Sequence, residues 1–344
     1  MSVREEIIRL KNNVMKDIVG QEEIVERLLM GLLANGNLLV EGLPGMAKTR
    51  AIKSLASNIE ATYGRIQFTP DLVQSDITGK QAYYESDKGG KGEYVFEPGP
   101  VFNNIVLADE INRAPSKTQN ALLEAMEERQ VTVAAVAHKM PDLFLVMATQ
   151  NPVEQAGTYA LPEAQMDRFL MHVSVHYPDE AAESQIIRLV RGEFSQEHKA
   201  KEKGGKLEEK QLTTQETIFA ARAELDKVTV PDHVEKYIVD LIFTTRYPER
   251  FSYELKSFIK CGASPRGSLA MDRCTRAHAW MRGANEADIE DVQAVVHSVL
   301  RHRIIRGDRA HEHKVTADDI IDDILEKVQI PTIGDSYLVK TVEA

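Results

Sequence analysis

Apolar and polar positions divide the chain into two patterns. Between about Leu38 and Tyr177, short and nearly continuous apolar runs recur: Leu38-Leu39-Val40, Ile66-Gln67-Phe68, Ile105-Val106-Leu107-Ala108, Leu143-Phe144-Leu145-Val146-Met147-Ala148 and Met171-His172-Val173-Ser174-Val175. A strand covered on one face alternates, whereas one covered on both does not, so these runs predict a parallel sheet sandwiched by helices. The stretches between them carry helical spacing, clearest from Ser116 to Glu128, where Ala121, Leu122, Ala125 and Met126 share a face. Strand and helix in alternation predict an α/β domain over residues 1–180. Two hairpins interrupt it, at 81–97 with glycines at 89, 90 and 92 and at 130–140. They are either surface elaborations or arms toward a substrate or a neighbouring subunit.

After residue 212 the period is helical throughout. Helices are predicted over Thr214 to Leu225, Asp232 to Arg246, Pro265 to Arg282, Ile289 to Leu300 and Thr316 to Lys327, with Pro231-Asp232 and Thr316 before Asp318-Asp319 as start signals. Residues 213–344 are therefore expected to form an all-helical domain. Residues 181–212 join the two as a connecting helix and a charged linker, with Gly204-Gly205 and little periodicity from Glu193 to Gln211.

Composition narrows the function. At about 150 residues per domain, 344 residues predict two domains. Forty-two basic against 53 acidic residues give a net charge of −11, which argues against a general binder of nucleic acid or anionic membranes. Cys261 and Cys274 are too few for a disulfide framework or a zinc site and are expected to pack near the helical core. The start, MSVREEIIRLKNN, lacks the apolar stretch of a signal peptide, and no apolar run approaches the roughly 18 to 20 residues of a membrane span. A cytoplasmic protein is the expectation.

Chemistry concentrates at three strand ends. Gly42-Leu43-Pro44-Gly45-Met46-Ala47-Lys48-Thr49 follows the Leu38 strand and opens a helix, so its backbone N–H groups and the positive end of the helix dipole converge as a phosphate requires. Lys48 can reach β- and γ-phosphates, and the Thr49 hydroxyl can ligate Mg²⁺. Ala47 stands where the usual pattern has glycine; a methyl group is tolerable if that residue is already helical. The Ile105 strand ends in Asp109-Glu110, where a carboxylate is costly unless paired or bound to a cation. Asp109 is placed to hold Mg²⁺ and Glu110 to polarise an attacking water. After the Leu143 strand comes Thr149-Gln150-Asn151-Pro152, whose amide can orient that water or serve as a turn former. Gly79-Lys80 lacks the upstream glycine of a phosphate loop, and His311-Glu312-His313 lacks metal-ligand spacing.

Together these residues resemble the AAA+ ATPases, specifically the MoxR type, over nearly the whole chain. GLPGMAKT (42–49) resembles Walker A, IVLADEINRAP (105–115) Walker B, and ATQNP (148–152) sensor 1. Ile18-Val19-Gly20-Gln21 resembles the segment that packs on adenine. LPEAQMDRF (161–169) resembles the arginine-finger segment, with Arg168 as the finger, and GASPRGSLA (262–270) resembles sensor 2, with Arg266 as its arginine. The two hairpins match inserts of the clade that includes magnesium-chelatase motor subunits. The resemblance implies an ATP and Mg²⁺ site formed by Val19, Gly20, Gly42, Pro44, Gly45, Met46, Ala47, Lys48, Thr49, Arg50, Asp109, Glu110, Asn151 and Arg266. Arg168 would act on the next subunit's nucleotide in a homo-oligomer, a hexameric ring. It further implies a role in remodelling or maturing a client protein, including metal-cofactor insertion, beside a von Willebrand A (metal-ion-dependent adhesion) partner. Alternatives within the clade are a chelatase motor and a GTP-using nucleic-acid motor. Arg113 is a further candidate for an interface contact.

Overall fold

The structure is a computed structural model of the chain and describes residues 1–43, 45, 48–85, 92–151, 158–203 and 211–335, with 192–203 described by backbone alone. A five-stranded sheet is built from β1 (Leu38–Gly42), β2 (Tyr63–Gln67), β3 (Ile105–Asp109), β4 (Leu145–Gln150) and β5 (Met171–Val175), in the order β2-β3-β4-β1-β5. β3 runs parallel to β2, with Tyr63 opposite Ile105 and Gln67 opposite Asp109, and parallel to β4, with Ile105 opposite Leu145. Ile105, Val106, Leu107 and Ala108 are all fully buried. Successive side chains of a strand point to opposite faces, so both faces of β3 are covered, as its unbroken apolar run requires. β4 begins two residues after its apolar run does. The Leu143 carbonyl accepts instead from the Asn104 Nδ2 amide, and the strand extends through Thr149 and Gln150.

The chain folds as two units, one of residues 1–29, 40–159 and 174–219 and one of residues 30–39, 160–173 and 220–344. In the first, the helix Ser116–Glu128 spans the predicted residues. The hairpin Gly79–Tyr84 with Glu93–Pro98 is antiparallel, with Tyr83 opposite Tyr94 and their rings 5.1 Å apart. Its tip at 86–91, including Gly89 and Gly90, lies outside the described residues. Lys80 belongs to this hairpin and pairs with Glu97 at 3.8 Å. The second hairpin, Gln130–Val133 with Val136–Lys139, turns through Ala134 (φ 49°) and Ala135 (φ 66°), a geometry that usually selects Asn-Gly. Phe96 of the first hairpin stacks on His138 of the second at 3.7 Å between ring centres. The two inserts therefore brace each other.

The helix Glu180–Lys203 continues through most of the stretch expected to be a linker. The residues from Glu197 to Lys203 (EHKAKEK) are mainly strong helix formers, and their propensity outweighs the missing apolar stripe. Residues 204–210 lie outside the described residues.

From residue 220 to 335 the second unit is helical apart from a two-stranded ribbon, Ile259–Cys261 with Ile305–Arg306. Asp232–Arg246 and Ile289–Leu300 form as the spacing predicts, and Gln215–Leu225, Pro265–Met281 and Ala317–Lys327 differ by one residue at an end. Thr316 stands outside its helix as an N-cap: its hydroxyl accepts from the Asp319 N–H at 3.1 Å, and Asp319 accepts from the Thr316 N–H at 2.7 Å. Tyr237, Trp280 and Cys274 are fully buried. Cys261 corrects the expectation: it is exposed, at an irregularity in the ribbon's pairing that turns it away from the core. Among the described residues, no helix is long and apolar enough to cross a membrane.

Candidate functional site

The loop leaving β1 is shaped by two glycines. A Cβ on Gly42 would lie 2.8 Å from the Val175 carbonyl oxygen, so only glycine lets the loop pass this close to β5. Gly45 has φ +85°, in the left-handed region open to glycine at little cost. Pro44, Met46 and Ala47 lie outside the described residues. The helix Lys48–Ala56 then begins, with Lys48 buried and its ammonium donating to the Gly42 carbonyl and, at 3.5 Å, to that of Gln150. Burial pushes the Lys48 pKa below its usual range, while the carboxylates of Asp109, Glu110 and Glu41 act against that shift. Thr49 and Arg50 follow in the first helical turn. Arg50 donates through Nε to the Asp17 carbonyl at 2.7 Å. Beside Arg50 lies a cavity of about 210 Å³ lined by Ile18, Val19, Gly45, Tyr177 and Leu189, among others. Gly20 packs next to it, against Ala182.

The acidic pair sits at the end of β3 in a dense polar network. Asp109 accepts at Oδ1 from the Thr149 hydroxyl (2.7 Å) and at Oδ2 from Arg65 Nη2 (2.7 Å). Glu110 leaves the strand with φ 56° and ψ 49°, a left-handed conformation rare for a residue with a side chain. Its N–H donates to the Thr149 hydroxyl at 2.9 Å. Its carboxylate accepts from Asn151 Nδ2 at 3.1 Å on one oxygen and from Gln67 Nε2 at 3.0 Å on the other, where Arg113 Nε also lies at 3.2 Å. Asn151 is buried, and its carbonyl accepts from Asn112 Nδ2 at 3.0 Å.

Lys48, Asp109, Glu110 and Asn151 are thus brought together. Arg65, Gln67 and Thr149 belong to the same network and were not predicted. Gln67 lies opposite Asp109 in the ladder, a placement that needs the strand order and cannot be read along the chain. Arg113 pairs with Glu110.

Among the described residues, no cluster of three His, Cys, Asp or Glu side chains could enclose a metal. Asp109 and Thr49 could supply two oxygen ligands. That suits a small hard cation such as Mg²⁺, which keeps most of its water and takes further ligands from phosphate.

Arg168 and Arg266 belong to the second unit. Arg168 is half-buried, after the short helix Glu163–Met166, and Arg266 stands in the first turn of Pro265–Met281 behind its N-cap, Ser264. Asp167 connects the two segments. It accepts from the Ser264 hydroxyl at 2.7 Å and lies 3.7 Å from Arg266 Nη1.

Comparison with known proteins gives consistent matches. Residues 37–171 match the ATPase family associated with various cellular activities (AAA), and residues 254–324 match the AAA lid domain. The chain is 40% identical over 322 residues to Chaperone MoxR1 of Mycobacterium tuberculosis, covering 93% of this chain and 81% of that protein. It is 28% identical over 312 residues to Protein MoxR of Methylorubrum extorquens, covering 88% of each. A solved structure of an ATPase candidate from Cytophaga hutchinsonii superposes with a TM-score of 0.83 at 38% identity, covering 96% of each chain.

Proposed function

The chain belongs to the MoxR family of AAA ATPases, and from that premise we propose that it hydrolyses ATP with magnesium, as a homo-oligomeric ring, to remodel a client protein complex. The reading is carried by the convergence of Lys48, Asp109, Glu110 and Asn151 at the ends of adjacent strands. In it, the triphosphate lies along the loop 42–49 at the N-terminus of the helix Lys48–Ala56. The cavity beside Val19 and Gly20 takes the base. Lys48 exchanges the carbonyls of Gly42 and Gln150 for phosphate oxygens.

Magnesium held by Thr49 and Asp109 would neutralise charge on the phosphates. Glu110 accepts the proton of the attacking water. Asn151 and Gln67, each donating to a different oxygen of that carboxylate, fix its angle. Arg168 supplies positive charge to the phosphoryl group bound by a neighbouring copy, so turnover requires a closed, head-to-tail ring, a hexamer. Arg266 senses the nucleotide from the helical unit. The client half of the proposal, maturation of a metalloprotein beside a von Willebrand A partner in the cytoplasm, rests on family analogy. The chaperone name of the mycobacterial relative supports its general kind.

The test is Glu110→Gln. We expect a fluorescent ATP analogue to bind within about twofold of wild type, while turnover falls about 10²- to 10⁴-fold, the usual contribution of a general base. Near-normal hydrolysis by this variant removes Glu110 from the mechanism.

A further inference from the structure

Outside the strand-end network, the helical unit contains a second polar cluster, built on Arg303, whose side chain is 2% exposed. A guanidinium has five N–H donors. Here Nε donates to Asp167 Oδ1 at 2.9 Å. Nη1 donates to the carbonyls of Leu170 (3.1 Å) and Val299, and Nη2 to those of Asp167 (3.2 Å) and Phe169 (2.6 Å). Every donor is committed, and four of the five acceptors lie in residues 167–170, the segment that bears Arg168. The neighbours of Arg303 act on the same stretch. His302 Nε2 lies 3.2 Å from the Phe169 carbonyl, and Arg301 Nη1 donates to the His172 carbonyl at 3.1 Å. The other oxygen of Asp167 accepts from Ser264, the N-cap of the helix that carries Arg266.

A buried ion pair contributes little net stability, because desolvation offsets most of its attraction. Its directional bonds, however, fix whatever backbone they hold. A short segment tied through the carbonyls of Asp167, Phe169 and Leu170 and through one carboxylate cannot rotate about its own axis. We propose that Arg303 and Asp167 are positioning residues: they lock the 167–170 backbone to the end of the helix Ile289–Leu300 and so set the direction in which Arg168 is presented to the nucleotide of a neighbouring copy. The proposal rests on the reading of Arg168 given above. It adds that the aim of Arg168 is set from within the helical unit, by a cation that never touches the nucleotide.

Removing the guanidinium outright would leave the buried carbonyls of Phe169 and Leu170 without this donor and Asp167 without its ion pair, so the test uses two milder variants. Arg303→Lys keeps the charge but loses the planar fork. Asp167→Asn keeps the shape and weakens the pair. Both are assayed for cooperative thermal unfolding, for affinity toward a fluorescent ATP analogue, for kcat and KM, and in rings mixed with Lys48→Ala subunits, alongside Arg168→Ala. A misaimed group near the reacting atoms costs up to about 100-fold in rate. We therefore expect kcat of Arg303→Lys to fall about tenfold or more, with KM and analogue affinity unchanged, and Asp167→Asn to fall less.

Subunits carrying either change retain an intact phosphate loop, and Lys48→Ala subunits retain a well-aimed Arg168. Mixing should therefore restore activity to both variants, as it restores Arg168→Ala. Wild-type kcat in a folded Arg303→Lys overturns the inference. So does a loss that mixing leaves unrepaired while Arg168→Ala is repaired, since that pattern reports a general folding defect. If Arg168→Ala itself stays unrepaired, the trans-acting reading beneath the inference falls instead.

Discussion

Lys48 and Arg303 are both buried cations, and the molecule treats them in opposite ways. Lys48 is held by two backbone carbonyls, while three carboxylates act on it to keep its charge. Its partners are ones that a phosphate chain can replace. Arg303 has a partner for each of its five N–H groups and shares the Asp167 carboxylate with an N-cap serine. The difference teaches how to tell a charge that receives a ligand from one that organises a backbone. Burial is the same for both, so the number of committed donors carries the information.

The largest expected effect separates the two by stability. Arg303→Met takes the ion pair from Asp167 and the donor from the carbonyls of Asp167, Phe169, Leu170 and Val299, and should cost about 3–5 kcal/mol in urea unfolding, the usual penalty for breaking such a pair from one side. Lys48→Met removes a charge that burial already disfavours, and should change stability by no more than about 1 kcal/mol while abolishing nucleotide binding. Equal costs would break the distinction.

A smaller effect follows from pH. Burial, reinforced by the charges of Arg303 and His172, holds the His302 pKa well below 6.5, against the opposing pull of the Phe169 carbonyl. Below pH 6.5 the unfolded chain takes up a proton that the folded one refuses, so this contribution is intact above that pH and is lost as pH falls through and below it. His302→Gln keeps a donor for Phe169 and should flatten the acid side of a plot of urea midpoint against pH. An unchanged slope would mean that the arginine cluster is indifferent to its neighbour.

The smallest effect concerns strain without a site. Ala134 and Ala135 both hold positive φ at a hairpin turn. Replacing them with Asn-Gly should stabilise the protein by about 1 kcal/mol in thermal unfolding and leave ATP turnover unaltered. A drop in turnover would move this hairpin from scaffold to mechanism.

Much of this was legible along the chain. The apolar runs marked four strands along most of their length and β2 only at its end, and helical spacing placed Ser116–Glu128, Asp232–Arg246 and Ile289–Leu300 to the residue. Lys48, Asp109, Glu110 and Asn151 were legible as candidates because each lies at or within a few residues of a strand end that can be read along the chain. Gln67 and Thr149 escaped because they matter only through lateral neighbours in the sheet. Residues 301–303 (Arg-His-Arg) escaped for a different reason. A run of charge at a helix end reads as solvated, and only the returning segment 167–172 makes it interior. The short helices Gln74–Thr78 and Asp308–Glu312 span too few turns to show a period at all.

The left-handed backbone at Glu110 has a consequence for anyone who would transplant this acidic pair into another scaffold. Copying the letters Asp-Glu after a strand would continue the extended path and swing the second carboxylate to the opposite face of the sheet. The host must first supply a sharp bend that side-chain-bearing residues resist, along with a hydroxyl such as that of Thr149 to receive the freed N–H. What would have to travel between proteins is a contour of main chain, with the glutamate as its last and easiest part.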